Sequence, residues 1–225
     1  MHCKSQRHGL TMGELCRLLH SEGGYNSPLE IMPVTDYSAL EGWIMPPSPN
    51  IPGPITPLIY SGQYLFEGTN VSEGRGTTRP FELFGAPFMA QGWQGQNWPS
   101  DAGIILRPTV FVPTLHKYAG ERCYGFQLHL IGKPFHSLAF TIRLLRYLSE
   151  TFVEEFAWLD GPYGQGSEVT AIEILVGNGD LMDYLRGAAG YERVRGALKA
   201  GEERWMKWAQ PCVQGADSLF RVALD

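Results

Sequence analysis

Ile104-Ile105-Leu106-Arg107-Pro108-Thr109-Val110-Phe111-Val112, then after a loop Cys123-Tyr124-Gly125-Phe126-Gln127-Leu128-His129-Leu130-Ile131, sets the fold class of this chain. Both runs are rich in β-branched and aromatic residues, and the second alternates with a period of two. Phe126, Leu128 and Leu130 share one face, which leaves Gln127 and His129 on the other. In the first run Arg107 and Thr109 fall together. Two strands are predicted, the first at a sheet edge because Pro108 withholds a ladder donor. If they pair, their polar face can floor a cleft.

Outward from these strands the periodicity turns helical. Leu138, Ile142, Leu145, Phe152 and Phe156 follow helical spacing, with Arg143 and Arg146 turned outward and Ser137 as the expected cap. Thr11 with Glu14 spells a capping box, so a helix is expected from Met12 to about His20, stopped by Gly23-Gly24. Leu29 to Val34 reads as a strand. A proline-rich stretch follows, and Thr56-Pro57 is expected to cap a helical turn leading into Tyr60–Phe66. Residues 84–103 read mostly as loop carrying Trp93 and Trp98, and residues 160–168 as a glycine-rich loop. Helices are expected near 179–188 and 190–199, and a last one near 202–223 broken at Pro211. The class is α+β: a small mixed sheet with packed helices and a long Pro/Gly-rich loop region.

Composition narrows the function. The 225 residues are 44% hydrophobic and 12% aromatic, enough for a core, while 27 glycines and 16 prolines imply much loop. A net charge of −5 without a basic stripe argues against nucleic acid and against an anionic membrane surface. No run of membrane-spanning length occurs, so membrane insertion is not expected. The four cysteines, at 3, 16, 123 and 212, show no Cys-x-x-Cys spacing. Free thiols are the default, with a Cys123–Cys212 bridge left open. No P-loop, nucleophile elbow or dinucleotide fingerprint is present.

Chemistry concentrates in Leu65-Phe66-Glu67-Gly68-Thr69-Asn70-Val71-Ser72-Glu73-Gly74-Arg75-Gly76-Thr77-Thr78-Arg79-Pro80-Phe81-Glu82, which holds three carboxylates, two guanidinium groups and three glycines. The mixture suits a sugar: an acid, an anion clamp and hydroxyl partners on a sharply turning backbone. Glycoside hydrolysis usually takes two carboxylates. Glu67, beside Phe66 in a partly apolar wall, suits the proton donor; it equally suits a bond to its own turn amides. Glu73 reads as a solvated turn residue, and Glu82 as a partner for Arg79 or Arg75. Thr69 and Asn70 suit sugar hydroxyls or local turn bonds. His116 and His129 could orient a carboxylate or substrate, and a buried, hydrogen-bonded histidine is the plainer reading. As a metal pair they lack a third ligand at recognisable spacing. Trp93, Trp98 and Tyr118 suit sugar stacking or packing.

The same residues carry a resemblance. Glu67-Gly68-Thr69-Asn70, Gly74-Arg75-Gly76-Thr77, Arg79-Pro80-Phe81 and Gly85-Ala86-Pro87 resemble the signature of the NamZ-type exo-β-N-acetylmuramidases. Flanking matches include Arg7-His8-Gly9-Leu10-Thr11-Met12-Gly13-Glu14-Leu15, Pro113-Thr114-Leu115-His116-Lys117-Tyr118-Ala119-Gly120 and Phe156-Ala157-Trp158. They are dense from about residue 7 to 130. The resemblance implies a C-terminal half: residues 1–225 as a single domain whose helical remainder covers 135–225. In this family a Rossmann-like domain precedes the segment, and the cleft lies where the halves meet. A Pro-Glu-His-Gly stretch of that first half is absent here, so a separate Rossmann-like domain is an expected partner. The implied activity is release of N-acetylmuramic acid from peptidoglycan-derived MurNAc-GlcNAc glycans, with no metal or organic cofactor. By the same resemblance Glu67 is the catalytic carboxylate, with Thr69, Asn70, Arg75, Arg79, His116 and His129 as substrate contacts. One arginine would read the lactyl carboxylate that distinguishes N-acetylmuramic acid from N-acetylglucosamine, and the alternative for Arg75 and Arg79 is a salt bridge to Glu67, Glu73 or Glu82. The alternative is a non-catalytic amino-sugar or peptidoglycan-binding module. Members of the family are often exported to the cell envelope.

Overall fold

A computed structural model describes residues 8–33, 46–93, 97–160 and 169–212. The chain forms two compact units, one of Met1–Ile44 with Leu198–Asp225 and one of Met45–Ala197.

In the larger unit three strands form one sheet in the order β1-β3-β2, with β1 at Leu83–Ala86, β2 at Ile104–Phe111 and β3 at Cys123–Leu130. Every pair is antiparallel, where a mixed sheet was expected. β2 lies at the edge, as Pro108 requires. Arg107 faces Gln127 across the ladder and donates to its Oε1 at 2.6 Å, so the two strands do share a polar face. β1 escaped the sequence reading because all four of its residues are buried, which erases the alternation that marks a half-exposed strand. It pairs through Gly85 opposite Gly125, and a Cβ on Gly125 would lie 1.9 Å from the Phe84 carbonyl.

The other face of the sheet carries an aromatic core. Phe66 stacks on Phe84 at 5.4 Å, Phe84 meets Phe126 at 5.7 Å, and Trp98 sits edge-on to Phe126 at 4.8 Å. Trp93 and Trp98 are therefore packing residues, joined by a Trp98 Nε1 bond to the Trp93 carbonyl. Helix α2 (Thr56–Gln63) runs into a 3₁₀ turn at Tyr64–Gly68, but Thr56 is its first residue rather than its cap and donates its hydroxyl to Glu82 instead. Helix α3 (Ser137–Thr151) packs on α2. Its first residue does not cap it; the Ser137 hydroxyl donates to the Ile59 carbonyl at 2.5 Å, and bonds α2 instead. The helix also stops short of Phe156, because Phe152 leaves helical geometry to bury its ring against Phe88. Arg143 and Arg146 are not simply solvated: they lie over Tyr191 and Tyr184. Three helices follow, α4 (Ala171–Val176), α5 (Gly179–Leu185) and α6 (Tyr191–Ala209). The first was not read from the sequence, although Thr170 and Glu173 make a capping box.

In the smaller unit α1 (Met12–Gly23) has the expected capping box and ends at Gly24, in the left-handed region at φ 59°. Leu10 and Leu18 pack with Trp205 and Ala209 of α6. α6 is unbroken across Gly201, because this buried stripe outweighs the roughly 1 kcal/mol helix cost of one glycine. Pro211 falls in a 3₁₀ turn at Gln210–Cys212, and the rest of the helix expected to 223 lies outside the described residues. Residues 29–33 form no strand: Leu29 and Met32 are exposed, and without a partner an extended segment gains no ladder. Val34 and the 161–168 loop lie outside the described residues. Cys123 is a free, buried thiol, which removes the bridge to Cys212; burial pushes it up to about 12. Among the described residues no helix is long and apolar enough to cross a membrane.

Candidate active site

The 3₁₀ turn at Tyr64–Gly68 separates two neighbours by what they touch. Phe66 is fully buried in the aromatic core, and Glu67, one residue on, keeps its side chain 33% exposed. The core thus anchors the backbone that presents the carboxylate. Gly68 fits closely against the Ile172 backbone of α4, where a Cβ would stand 2.9 Å from the Ile172 nitrogen.

The next residues fix the turn rather than line it. Thr69 is fully buried; its hydroxyl donates to the Phe66 carbonyl at 2.9 Å and accepts from Val71 N at 3.2 Å. Asn70 clamps the segment after α3. Its Nδ2 donates to the Glu155 carbonyl at 2.7 Å, and its Oδ1 accepts from Ala157 N at 2.9 Å. Gly76 sits at φ 80°, where an L side chain is strained, and its carbonyl accepts both the amide and the hydroxyl of Thr114. That contact docks the Pro113–Gly120 loop on the turn.

The docked loop brings Lys117 to the carboxylates. Arg75 Nη2 donates to Glu67 Oε1 at 2.5 Å, and Arg75 Nε stands 3.5 Å from Glu73 Oε1. Lys117 Nζ donates to Glu73 Oε2 at 2.9 Å. Glu73 is 1% exposed, so the expected solvated turn residue is instead the buried centre of this network. Both of its oxygens face a cation, which is how a carboxylate tolerates burial. Burial lowers the Lys117 pKa below the usual lysine range, and the Glu73 charge opposes that shift. Arg75 also lies over the Phe81 ring at 5.2 Å, and Tyr60 meets that ring edge-on at 4.6 Å. The Tyr60 hydroxyl is raised above the usual tyrosine range, first by burial and then by the Glu67 charge, with Arg75 opposing.

Other expected site residues engage different partners or face solvent. Arg79, 56% exposed, donates to Glu82 Oε2 at 3.1 Å, and Thr56 donates to Glu82 Oε1 at 2.6 Å. His116 is exposed, with φ at 69°. His129 lies on the polar face of the sheet, where Arg107 Nε approaches its Nε2 at 3.3 Å. A hollow of about 320 Å³ lined by Trp98, Asp101, Ile104 and Phe126 shares no residue with the Glu67 group. Its acid, Asp101, is occupied by Gly103 N and by Arg143. The densest group of charges therefore lies around Glu67, which stays partly reachable. Lys117 and Tyr60 were not read as members of this group, and Glu73 only as one candidate salt-bridge partner of an arginine. For Lys117 a signal existed, its place in the His116-Lys117-Tyr118 match.

Comparison with known proteins agrees in one direction. The family model for the C-terminal region of the exo-β-N-acetylmuramidase NamZ matches residues 58–213. The peptidoglycan β-N-acetylmuramidase NamZ of Bacillus subtilis is 29% identical over 197 residues, 84% of this chain and 46% of that protein. Two solved DUF1343 family proteins of Bacteroides fragilis share the fold, with TM-scores of 0.62 and 0.63 at 22% and 19% identity. They align over 93% and 88% of this chain, and over 56% and 55% of their own. The chain thus spans about half the length of the relatives it matches.

Proposed function

The chain belongs to the family of the NamZ C-terminal region, and from that premise we propose that it supplies the Glu67 side of an exo-β-N-acetylmuramidase site. The reaction is release of terminal N-acetylmuramic acid from cell-wall glycans. The match over residues 58–213 carries this reading, because it contains the whole Glu67–Arg75–Glu73–Lys117 group.

Glu67 meets the sugar. Its partner is a guanidinium rather than an apolar wall, which suits a carboxylate acting through its charge on an oxocarbenium-like transition state. Arg79 is the better placed reader of the lactyl carboxylate, since more than half of its side chain is exposed and its ion pair with Glu82 leaves surface for a second acid. Arg75 takes that role only by loosening its hold on Glu67. Thr69 and Asn70 contribute by shaping the turn, and His116, beside Lys117 in the docked loop, borders the group. His129 belongs to the polar face of the sheet and contributes there.

The test is turnover of 4-nitrophenyl β-N-acetylmuramide by the purified chain, alone and with a Rossmann-like half from a relative supplied in trans. Nitrophenol release that Glu67→Gln abolishes is the expected result. Release unaffected by that change sinks the assignment. Arg79→Ala should weaken muramide far more than glucosaminide, and equal losses on both would remove the lactyl role. The second reading, an amino-sugar binding module, is favoured by one observation, the Arg75 bond that already engages the Glu67 carboxylate. Muramic acid binding without turnover in either arm selects it.

A further inference from the structure

We propose that Lys117 is a positioning residue that holds Glu67 in place through Glu73 and Arg75. The inference rests on the reading of Glu67 as the carboxylate that meets the sugar. Lys117 itself touches no substrate in this account. Its ammonium has three donors, and all three are spent: on the Phe66 carbonyl at 2.8 Å, the Val71 carbonyl at 3.0 Å and Glu73 Oε2 at 2.9 Å. An amine so occupied is poorly suited to deliver a proton or attack a carbon. It is well suited to fix geometry.

What it fixes is Glu67 from both ends. The Phe66 carbonyl belongs to the residue just before Glu67, so one bond holds the backbone that carries the carboxylate. The Glu73 bond holds the other end, because Glu73 Oε1 faces Arg75 Nε and Arg75 Nη2 reaches Glu67. Glu73 Oε1 attracts the guanidinium from 3.5 Å without a hydrogen bond to Nε, and the Phe81 ring supports its face, so charge and ring contact together limit the directions in which Nη2 points.

Backbone strain gathers at the same place. Among the described residues the non-glycine residues with positive φ are Phe81, His116 and Tyr118. The last two flank Lys117, and the first lies under Arg75. Such conformations persist where the surroundings hold them, and they cluster at functional sites. Burial also lowers the Lys117 pKa against the opposing Glu73 charge, a perturbation of the kind that gathers at functional sites.

The experiment compares Lys117→Met and the charge-balanced pair Lys117→Met with Glu73→Gln against the wild type, each in the full chain. Three quantities are read: Tm, kcat and KM on 4-nitrophenyl β-N-acetylmuramide with the Rossmann-like half present, and the Glu67–Arg75 contact in crystals. The expected result is a kcat about 10- to 100-fold lower with KM within about threefold in both variants, and a displaced Glu67 carboxylate; Tm stays close to wild type in the charge-balanced pair and falls in Lys117→Met alone, where Glu73 loses its closest cation. A variant that keeps its kcat, or keeps the Glu67–Arg75 contact, overturns the proposal. So does failure of both variants to fold, which makes Lys117 a staple of the fold. If the wild type turns over no muramide, the proposed function fails by itself, and the crystal comparison still decides the role of Lys117.

Discussion

The Glu67–Arg75–Glu73–Lys117 group and the ion pairs along α5 and α6 use the same side-chain types under opposite conditions. Glu73 is 1% exposed and Lys117 16%, whereas Arg195 and Glu192 of α6 are 65% and 83% exposed. The surface pair exchanges one set of water contacts for another and is screened by salt, so it contributes little. Glu73 and Lys117 have lost most of their water, and each depends on its neighbours for the partner that water would otherwise supply. Charge position, more than charge count, separates a site from a solvated face.

That contrast can be broken at its strongest point first. Glu67→Gln should lower muramide turnover by about 10³-fold, roughly 4 kcal/mol in the barrier, with Tm within about 2 °C of wild type. A large Tm loss alongside would make Glu67 a structural residue. Next in size, Glu73→Ala leaves two buried cations short of a partner and should cost about 3–5 kcal/mol in urea unfolding. A cost below about 1 kcal/mol would place Glu73 on a par with the α6 pairs.

Tyr64 sharpens the comparison for a neutral group. Its hydroxyl donates to the Leu175 carbonyl, and burial, aided by Tyr60, pushes its pKa from 10.0 up to about 12. The folded chain holds this proton after the unfolded chain has lost it. The contribution is therefore full below pH 10 and fades as pH rises toward 12, by roughly 1 kcal/mol at pH 11. Urea unfolding of wild type and Tyr64→Phe at pH 9 and pH 11 reads it: only the wild type should lose that increment. Parallel losses in both chains assign the alkaline sensitivity elsewhere. The smallest effect belongs to Arg195→Ala, for which calorimetry should find Tm within about 2 °C. A larger drop would mean that the surface pair is no weaker a tie than the buried ones.

Much of the fold was legible because it rests on local rules. The alternation of Phe126, Leu128 and Leu130, the proline in β2 and the Thr11–Glu14 capping box each act over a few residues, and each is found in place. β1 was not legible, since burial on both faces removes the pattern that marks a strand. Ser137 looked like a cap and bonds α2 instead, because a hydroxyl takes whichever acceptor packing brings nearest. In the candidate site Glu67 and Arg75 stood out through their motif, and their direct pairing was one of two readings left open. Glu73 misled: flanked by Ser72 and Gly74 it reads as a polar turn, and only the docking of a loop 44 residues away in sequence buries it.

The sequence alone determined the α+β class, the two long strands, the main helices and the position of the charged turn, because capping, alternation and turn chemistry are decided within a few residues. The tertiary structure decided which carboxylate keeps contact with solvent and which is sealed in. It also decided that Lys117 joins them, since Gly76 and Thr114 bring the two loops together across a gap no local rule spans. Burial sets the strength of a charge pair, and burial is a property of the packed chain.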